Sequence, residues 1–276
     1  MRTVNTSDRH HYRRMTTEEL RSHFLLENLF QPGVVELVYT DLDRAVVGGI
    51  VPLDQTLQLQ GGREMACEFF CERREAGVLN LGAPGTITVD GTSYQLAPLD
   101  CLYISRGSRE IIFISERADE PAQFYLVSYP AHSEYPTTQM SHAAATRIEL
   151  GNETEANRRT IYQYIHRHGI PSCQLVMGFT ELHPGSVWNT FPPHTHDRRT
   201  EIYCYFDLAG AGLVMHFLGE PDETRHVTVR DKQAVLSPPW SLHLGCGTAA
   251  YRFAWAMGGE NQVFEDMDKV DLITLR

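Results

Sequence analysis

The chain has 276 residues, of which 42% are apolar and 21% charged, a balance typical of a globular protein with one large or two modest domains. Its formal net charge of −11 argues against nucleic acid and anionic membranes as partners, because both would repel an acidic surface. No apolar run approaches the length of a membrane span, and the basic first residues are not followed by the apolar segment of a secretory signal. Six scattered cysteines without a CxxC pair indicate free thiols, so we expect a cytoplasmic protein.

The first predicted element is a helix that begins after Thr16. Thr16 and Glu19 can form a capping box, and Leu20 and Phe24 follow at helical spacing. The chain then changes to short apolar runs separated by Gly, Pro and Asp, among them VVELVY, TITVDG, EIIFIS, QFYLVSY, EIYCYFDL and YRFAWAM. The VDG at residues 89–91 is typical of a tight hairpin. This pattern predicts an all-β protein made of sandwiches or barrels.

The sequence also indicates an internal repeat. A shift of 125 positions places residues 72–74 (ERR) on residues 197–199 (DRR), and both copies lead into a β-rich stretch. The segment between the copies is polar and rich in Ala, Thr, Asn and Glu. We therefore predict two copies of one β-barrel, an N-terminal one over residues 1–136 and a C-terminal one over 161–276, with a connection over 137–160.

The strongest chemical signal is a set of metal-binding residue types in the second half. His194 and His196 share one face of a strand, and a polar DRRT insert can turn the chain so that Glu201 returns to that face. A further candidate, His243, ends the segment SPPWSLH. Three imidazoles and one carboxylate suit Zn²⁺, and they can also hold Fe²⁺, Mn²⁺ or Ni²⁺.

The first half lacks this set. Under the same shift, Phe69, Cys71 and Ala76 stand where the second half has His194, His196 and Glu201. We therefore expect the first half to serve as scaffold and interface, with the metal held by the second half alone.

The paired histidines, the glutamate and the distant histidine resemble the two-part signature of cupins, with Trp240 where most cupins have glycine. The similarity narrows in FCERREAGVLNLGAPGTITVDG, ANRRTIYQYI, CQLVMGFTELHPGSVWNTFPPHTHDRRTEIYCYFDL, SPPWSLH and GENQVFEDMD, which together resemble the 5-keto-4-deoxyuronate isomerase family. The resemblance implies a bicupin fold, one zinc per chain and a homohexamer. It also implies conversion of 5-dehydro-4-deoxy-D-glucuronate into 3-deoxy-D-glycero-2,5-hexodiulosonate in pectin catabolism.

Such a substrate carries a carboxylate, and an acidic protein needs local cations to bind it. The candidates are two arginine pairs, Arg158 with Arg159 and Arg198 with Arg199, because a guanidinium can bind a carboxylate through two parallel hydrogen bonds.

Proton transfer at C2 through an enediolate is the expected route, with a hydride shift as the alternative. Candidate acid–base groups are Glu181, His226 and Tyr203, of which Tyr203 shares the strand parity of Glu201. The acidic, turn-rich residues 258–268 are expected to pack across the barrel or a subunit boundary.

Two other functional classes remain open at this level. One is another metal-dependent cupin enzyme, such as a different sugar isomerase or an iron dioxygenase, which metal identity and oxygen uptake would distinguish. The other is a ligand-sensing cupin without catalysis, but the chain shows no helix-turn-helix pattern that would serve a DNA-binding sensor.

Overall fold

The computed structural model describes all 276 residues of the chain. They divide into two compact units, each discontinuous in sequence. Unit 1 consists of Met1–Val4, Asn28–Ala145 and Tyr164–Val176, and unit 2 of Asn5–Glu27, Thr146–Gln163 and Met177–Arg276. The sequence predicts three consecutive segments. That prediction does not include the short pieces, such as Asn5–Glu27, that belong to a unit other than the one formed by their neighbours in sequence.

Strands dominate the chain. The first twelve are β1 (Arg2–Val4), β2 (Leu25–Leu26), β3 (Val35–Thr40), β4 (Val46–Ile50), β5 (Leu57–Gln58), β6 (Arg74–Asn80), β7 (Gly85–Val89), β8 (Thr92–Leu96), β9 (Cys101–Ile104), β10 (Ile111–Ser115), β11 (Phe124–Pro130) and β12 (Thr138–Met140). The next twelve are β13 (Thr146–Leu150), β14 (Arg159–Ile165), β15 (Val176–Leu182), β16 (Trp188–Asn189), β17 (His194–Thr195), β18 (Arg199–Phe206), β19 (Val214–Glu220), β20 (Glu223–Val229), β21 (Gln233–Ser237), β22 (Leu244–Gly247), β23 (Arg252–Gly259) and β24 (Asp268–Lys269). Strands β12 and β13 occupy the segment that the sequence predicts to be a plain connection.

The helices are few and short. The α-helix α1 spans Thr17–Phe24, and short 3₁₀ helices span Tyr12–Arg14, Leu42–Arg44, Arg63–Met65, Phe70–Glu72 and His142–Ala144. No helix is long and apolar enough to traverse a bilayer. The predicted capping box is present, since the Thr16 side chain accepts from the Glu19 amide and the Glu19 side chain accepts from the Thr16 amide.

Four of the sheets come in two matching pairs. The order β1-β3-β4-β11-β6-β9-β12 of one seven-stranded sheet corresponds to β13-β14-β15-β23-β18-β21-β2 of the other, and β5-β10-β7-β8 corresponds to β16-β22-β19-β20. Strands β6 and β18 begin at Arg74 and Arg199, which the 125-residue shift places opposite each other. The predicted repeat is therefore present in the topology. Each sheet is open, so each half is a jelly-roll pair of sheets and not a closed barrel.

The hairpin predicted at VDG joins β7 to β8. Asp90 and Gly91 both have positive φ, 47° and 82°, which is the conformation of the tight turns that suit the twist of two antiparallel strands. Gly91 is needed here because its φ lies in the left-handed region.

The interior of unit 1 explains why its half carries no metal residues. Cys71 and Ala76, which stand at the positions of His196 and Glu201, are completely buried in an apolar cluster with Val78, Phe113 and Leu126. A charged or metal-binding side chain in this cluster would lose its hydration without gaining a polar partner. At the equivalent positions of unit 2, His196 and Glu201 have each other as polar partners.

Candidate metal centre and cavity

His194 and His196 reach the site from a short strand followed by a turn. In β17, His194 lies opposite Lys269 of β24. The Arg199 amide donates to the His196 carbonyl at 2.9 Å, which closes the turn and starts β18. Glu201 is the third residue of β18, so the turn places its carboxylate beside the two imidazoles, as the sequence predicts.

His243 arrives from the loop between β21 and β22. The Ser241 amide donates to the Pro238 carbonyl at 2.9 Å, and this turn directs the next residues back into unit 2. Strand β21 pairs with β18, with Ser237 opposite Glu201, so the loop begins beside the carboxylate.

The four side chains converge on one point. One ligand atom from each of His194, His196, Glu201 and His243 lies within 4.8 Å of the others. The Glu201 Oε2 is 3.0 Å from His196 Nε2 and 2.8 Å from His243 Nε2, and the Nε2 atoms of His194 and His196 are 3.0 Å apart. His196, Glu201 and His243 are 3%, 5% and 1% exposed, so water screens their interactions only weakly.

Backbone carbonyls set the orientation of two of the rings. The His196 Nδ1 donates to the Asp266 carbonyl at 3.0 Å, and the His243 Nδ1 donates to the Ser241 carbonyl at 3.3 Å. With the proton on Nδ1, each Nε2 presents a lone pair to the cluster. These two lone pairs lie 3.0 Å and 2.8 Å from the Glu201 Oε2, and lone pairs this close to a carboxylate oxygen repel it unless a cation lies between them. The donor set therefore fits a divalent cation, with the ring orientation typical of metal-bound histidine.

The electrostatics of the cluster match this reading. Burial, with the nearby His243 and His196, lowers the pKa of His194 to about 2, so its imidazole is neutral at physiological pH. Burial alone would raise the pKa of the Glu201 carboxyl, but when the Nε2 atoms of His243 and His196 carry protons, their charge and hydrogen bonds hold it well below its usual range, and a divalent cation would take the place of those protons. A neutral imidazole and an ionised carboxylate are the forms that bind metal.

Three members of the cluster, His194, His196 and Glu201, line a cavity of about 640 Å³ within unit 2. Most of the lining is apolar, including Phe253, Trp255, Met257, Phe264 and Met267. The acidic C-terminal segment supplies the last two, so it packs over this cavity. A large apolar space with a few convergent polar groups is the usual form of a small-molecule site.

The structure separates the four candidate arginines. Arg159 lines the cavity. Arg158 is exposed and paired with Glu153 at 2.7 Å. Arg198 lies outside the cavity lining and forms ion pairs with Asp266 and Asp268.

Arg199 is 1% exposed and supports the cluster from behind. Its Nη2 donates to the Asp266 carbonyl at 2.6 Å, the same oxygen that accepts from His196. Neither its Nε nor its Nη1 has a hydrogen-bond partner. Arg199 therefore acts on the position of the C-terminal segment and is not brought to the cavity.

Of the three acid–base candidates, the structure brings only Tyr203 to the cavity. Its hydroxyl lies 2.9 Å from the Thr190 hydroxyl, and burial raises its pKa well above the ordinary value. Glu181 pairs with Arg252 at 2.6 Å outside the cavity lining, and His226 is exposed on β20.

A further buried histidine lies on β19. His216 is fully buried and its Nδ1 is 2.8 Å from the Tyr205 hydroxyl, while its Nε2 has no partner. Burial, with a smaller effect from His243, lowers the pKa of His216 to about 3. Sequence reasoning missed this residue, because nothing in MHF distinguishes it from a surface histidine.

Sequence reasoning also missed Asp266 and Lys269, which hold and line the site from the C-terminal segment. The only signal was the acidic run GENQVFEDMD, far along the chain from the histidines.

Comparisons with known proteins identify the family of the chain. The model of the KduI/IolB family matches residues 25–273. Among curated relatives, the 4-deoxy-L-threo-5-hexosulose-uronate ketol-isomerase of Opitutus terrae is 54% identical over 265 residues, covering 96% of both chains. The protein of that name from Kineococcus radiotolerans is 55% identical over 265 residues, covering 95% of both.

Solved structures with little sequence identity share the fold. An IolB-like protein from Salmonella typhimurium superposes with a TM-score of 0.73 at 12% identity, covering 90% of this chain and 96% of that one. The oxalate decarboxylase of Bacillus subtilis gives a TM-score of 0.57 at 10% identity, covering 79% of this chain and 70% of that one. These likenesses support the jelly-roll architecture and no more.

Proposed function

The chain belongs to the KduI/IolB family, and on that premise we propose that it is a metal-dependent ketol-isomerase acting on 5-dehydro-4-deoxy-D-glucuronate. The product is 3-deoxy-D-glycero-2,5-hexodiulosonate. The observation that carries the proposal is the cluster of three histidines and one glutamate, three of which line a largely apolar cavity. The ketol-isomerase activity for which near-full-length relatives at 54–55% identity are named supports the same reaction.

The reaction moves a carbonyl from C1 to C2 of an open-chain sugar acid. The costly step is removal of the C2 proton, since the C5 ketone is too distant to acidify it. His194, His196, Glu201 and His243 would hold the cation. When bound, a divalent cation supplies Lewis-acid stabilisation of negative charge on the oxygens of C1 and C2.

The other lining residues bind the substrate and exclude water. The aromatic and aliphatic lining leaves few competing hydrogen-bond partners near C1 and C2, which strengthens the electrostatic interactions there. Tyr203 lies in the lining and its ring is 5.4 Å from that of His243. We assign its hydroxyl the role of hydrogen-bond donor to a substrate oxygen.

We propose zinc as the cation, one per chain, because four ligands of this type are typical of zinc sites. The proposed cellular role is pectin degradation in the cytoplasm. Six free cysteines support a reducing compartment. The proposed homohexamer rests on the sequence resemblance.

An NMR time course with the purified protein and 5-dehydro-4-deoxy-D-glucuronate tests the activity directly. We expect the C1 aldehyde signal to disappear while a signal of the new ketone, at the carbon that was C2 of the substrate, appears. Chelation of the metal should abolish this conversion, and added zinc should restore it. Metal analysis should give one equivalent per chain for the wild type and far less for His194→Ala. The matched control His132→Ala, an exposed histidine of unit 1, should keep full metal content and activity. Oxygen consumption instead of isomerisation would favour a cupin dioxygenase.

The route of hydrogen transfer is tested in D₂O. Proton transfer predicts deuterium at the product carbon derived from C1. Complete retention of a C2 deuterium label, with none taken from solvent, would instead establish a hydride shift.

A further inference from the structure

The cavity floor is one face of the sheet that carries Glu201. Neighbouring strands in the order β13-β14-β15-β23-β18 contribute lining residues. These are Leu150 from β13, Arg159 and Ile161 from β14, Thr180 from β15, Phe253, Trp255 and Met257 from β23, and Glu201 and Tyr203 from β18. Within each of β14, β18 and β23, successive lining residues are two positions apart in the sequence, as expected for side chains on the same face of a sheet. The histidine cluster adjoins β18, and Arg159 lies towards the opposite edge.

Arg159 is a cation without an anionic partner. Its Nη1 donates to the Asn157 carbonyl at 2.8 Å, and it forms no ion pair, whereas Arg158 beside it is paired with Glu153. Arg159 is partly buried, and this burial lowers the pKa of its guanidinium below the ordinary value. A desolvated guanidinium that lacks a carboxylate is poised to bind one from a ligand.

The other basic side chain of the lining is Lys269, which is exposed and lies opposite His194 in the β17–β24 pair. A group beside the cluster and open to water is poorly placed to select the far end of a substrate. An exposed ammonium also remains hydrated, so it discriminates weakly between charged and neutral ligands.

The spacing suits a ligand that spans the cavity. Strand β14 lies three strand positions from β18, which is roughly 14 Å at about 4.8 Å per strand. An extended arginine side chain and an open six-carbon chain together can bridge that distance. The floor between them is formed by Thr180 and the apolar Trp255 and Met257, both almost fully buried, which matches the deoxygenated C4 region better than a polar floor would.

We propose that Arg159 binds the C6 carboxylate of the substrate, so that it selects sugar acids over neutral sugars while C1 and C2 lie at the histidine cluster. This inference rests on the proposed function and names the residue that gives it specificity. The planar guanidinium forms a two-pronged hydrogen bond with the carboxylate, and the length of the carbon chain then fixes which carbons reach the cluster.

The test uses the metal-loaded protein, two variants and two substrates. Arg159→Gln removes the charge, and Arg159→Lys keeps the charge but loses the fork. Each is assayed with the uronate and with its neutral counterpart, in which C6 is an alcohol. Arg147→Gln is the matched control, because Arg147 is an exposed arginine of the same unit that pairs with Glu149 outside the cavity. Metal content and melting temperature establish that each variant is folded and loaded.

We expect Arg159→Gln to lower kcat/KM for the uronate about 10- to 100-fold, mainly through KM, as for loss of a hydrogen bond to a charged group. The neutral substrate should change less than twofold, Arg159→Lys should lie between, and the control should match the wild type. An unchanged KM for the uronate, or equal losses on both substrates, would overturn the assignment.

A binding measurement separates this inference from the proposed function. Calorimetry with the uronate reduced at C1, which cannot isomerise, should show the same loss of affinity in Arg159→Gln and none for the C6 alcohol. Absence of turnover in the wild type would refute the isomerase, yet the calorimetry would still decide on Arg159. If the reduced uronate binds wild type and variant equally, Arg159 does not hold the carboxylate.

Discussion

Replacing Glu201 by glutamine is the most direct test of the metal centre. The two side chains have nearly the same shape, so the change removes one negative charge and little volume. Glu201 is 5% exposed, and its Oε2 lies 2.8 Å from His243 and 3.0 Å from His196. Because water screens this position poorly, a bound cation would lose a strong partner.

The size of the effect can be bounded from below. Loss of a partner that only orients a metal ligand costs about 10- to 100-fold in affinity, so loss of a ligating carboxylate should cost at least about 100-fold. With zinc buffered at about 1,000 times the wild-type dissociation constant, the wild type should gain roughly 4 kcal/mol of stability from the metal. A variant that binds about 100-fold more weakly should gain roughly 1.4 kcal/mol under the same conditions.

The assay compares urea unfolding with and without buffered zinc for each protein. Taking the difference removes the effect of the substitution on the metal-free protein. It also cancels zinc binding to the six cysteines of the unfolded chain, which is the same in both proteins. Glu265→Gln, the same change at an exposed position near the site, should keep the full gain. If Glu201→Gln also keeps the full gain, Glu201 is not a metal ligand.

Three further predictions address the neighbouring residues. The pKa of buried His216 is lowered to about 3 in the folded protein. Between about pH 6.5 and 3 the unfolded chain therefore binds one more proton at this imidazole than the folded protein does. The free energy of unfolding should fall by about 1.4 kcal/mol per pH unit from this group as the pH drops through that range. Urea unfolding across this range should show a slope shallower by one proton in His216→Asn, and an unchanged slope would contradict the lowered pKa. Tyr12→Phe should cost about 1–3 kcal/mol of unfolding free energy, because the buried hydroxyl donates to the Glu223 carbonyl and accepts from the Glu220 amide; a loss below 0.5 kcal/mol would mean that water replaces it. Tyr203→Phe should lower kcat about 100-fold at unchanged metal content, and kinetics equal to the wild type would remove Tyr203 from the reaction.

Local signals in the sequence predicted local structure well. The capping box at Thr16 and Glu19 and the hairpin at Asp90 and Gly91 depend on residues within four positions of one another, so their geometry follows from short-range hydrogen bonds and allowed φ values. The 125-residue shift predicted the repeated sheet order, because one buried arginine begins the equivalent strand in each half.

The convergence of the histidine cluster was also predictable. His194, His196 and Glu201 lie within eight positions, and one turn brings them together. His243 lies 42 positions after Glu201, so the sequence offered it as a candidate from the segment SPPWSLH and the cupin signature supported its inclusion.

Long-range pairing was beyond the sequence pattern. Arg198 was a candidate substrate ligand because a guanidinium can bind a carboxylate, but Asp266 and Asp268 of the C-terminal segment pair with it. Glu181 looked like a base until the fold placed Arg252 beside it. Such pairings depend on which strands become neighbours, and neither periodicity nor composition specifies that.

The sequence did not predict that Asn5–Glu27 belongs to unit 2, and the reason is again a long-range contact. Tyr12 packs its ring against Trp240 at 4.9 Å, far along the chain. No pattern in the N-terminal sequence indicates that Tyr12 contacts Trp240, so the sequence alone could not assign this segment to the second half.

The carbonyl of Asp266 has a consequence for shortened forms of the protein. The ring of His196 takes its orientation from this oxygen, which lies 70 positions later in the chain. All three histidines and Glu201 therefore precede the residue that aligns one of them. A chain that ends between residues 243 and 266 would carry every ligand but lack the support behind His196, so we expect it to hold a cation loosely.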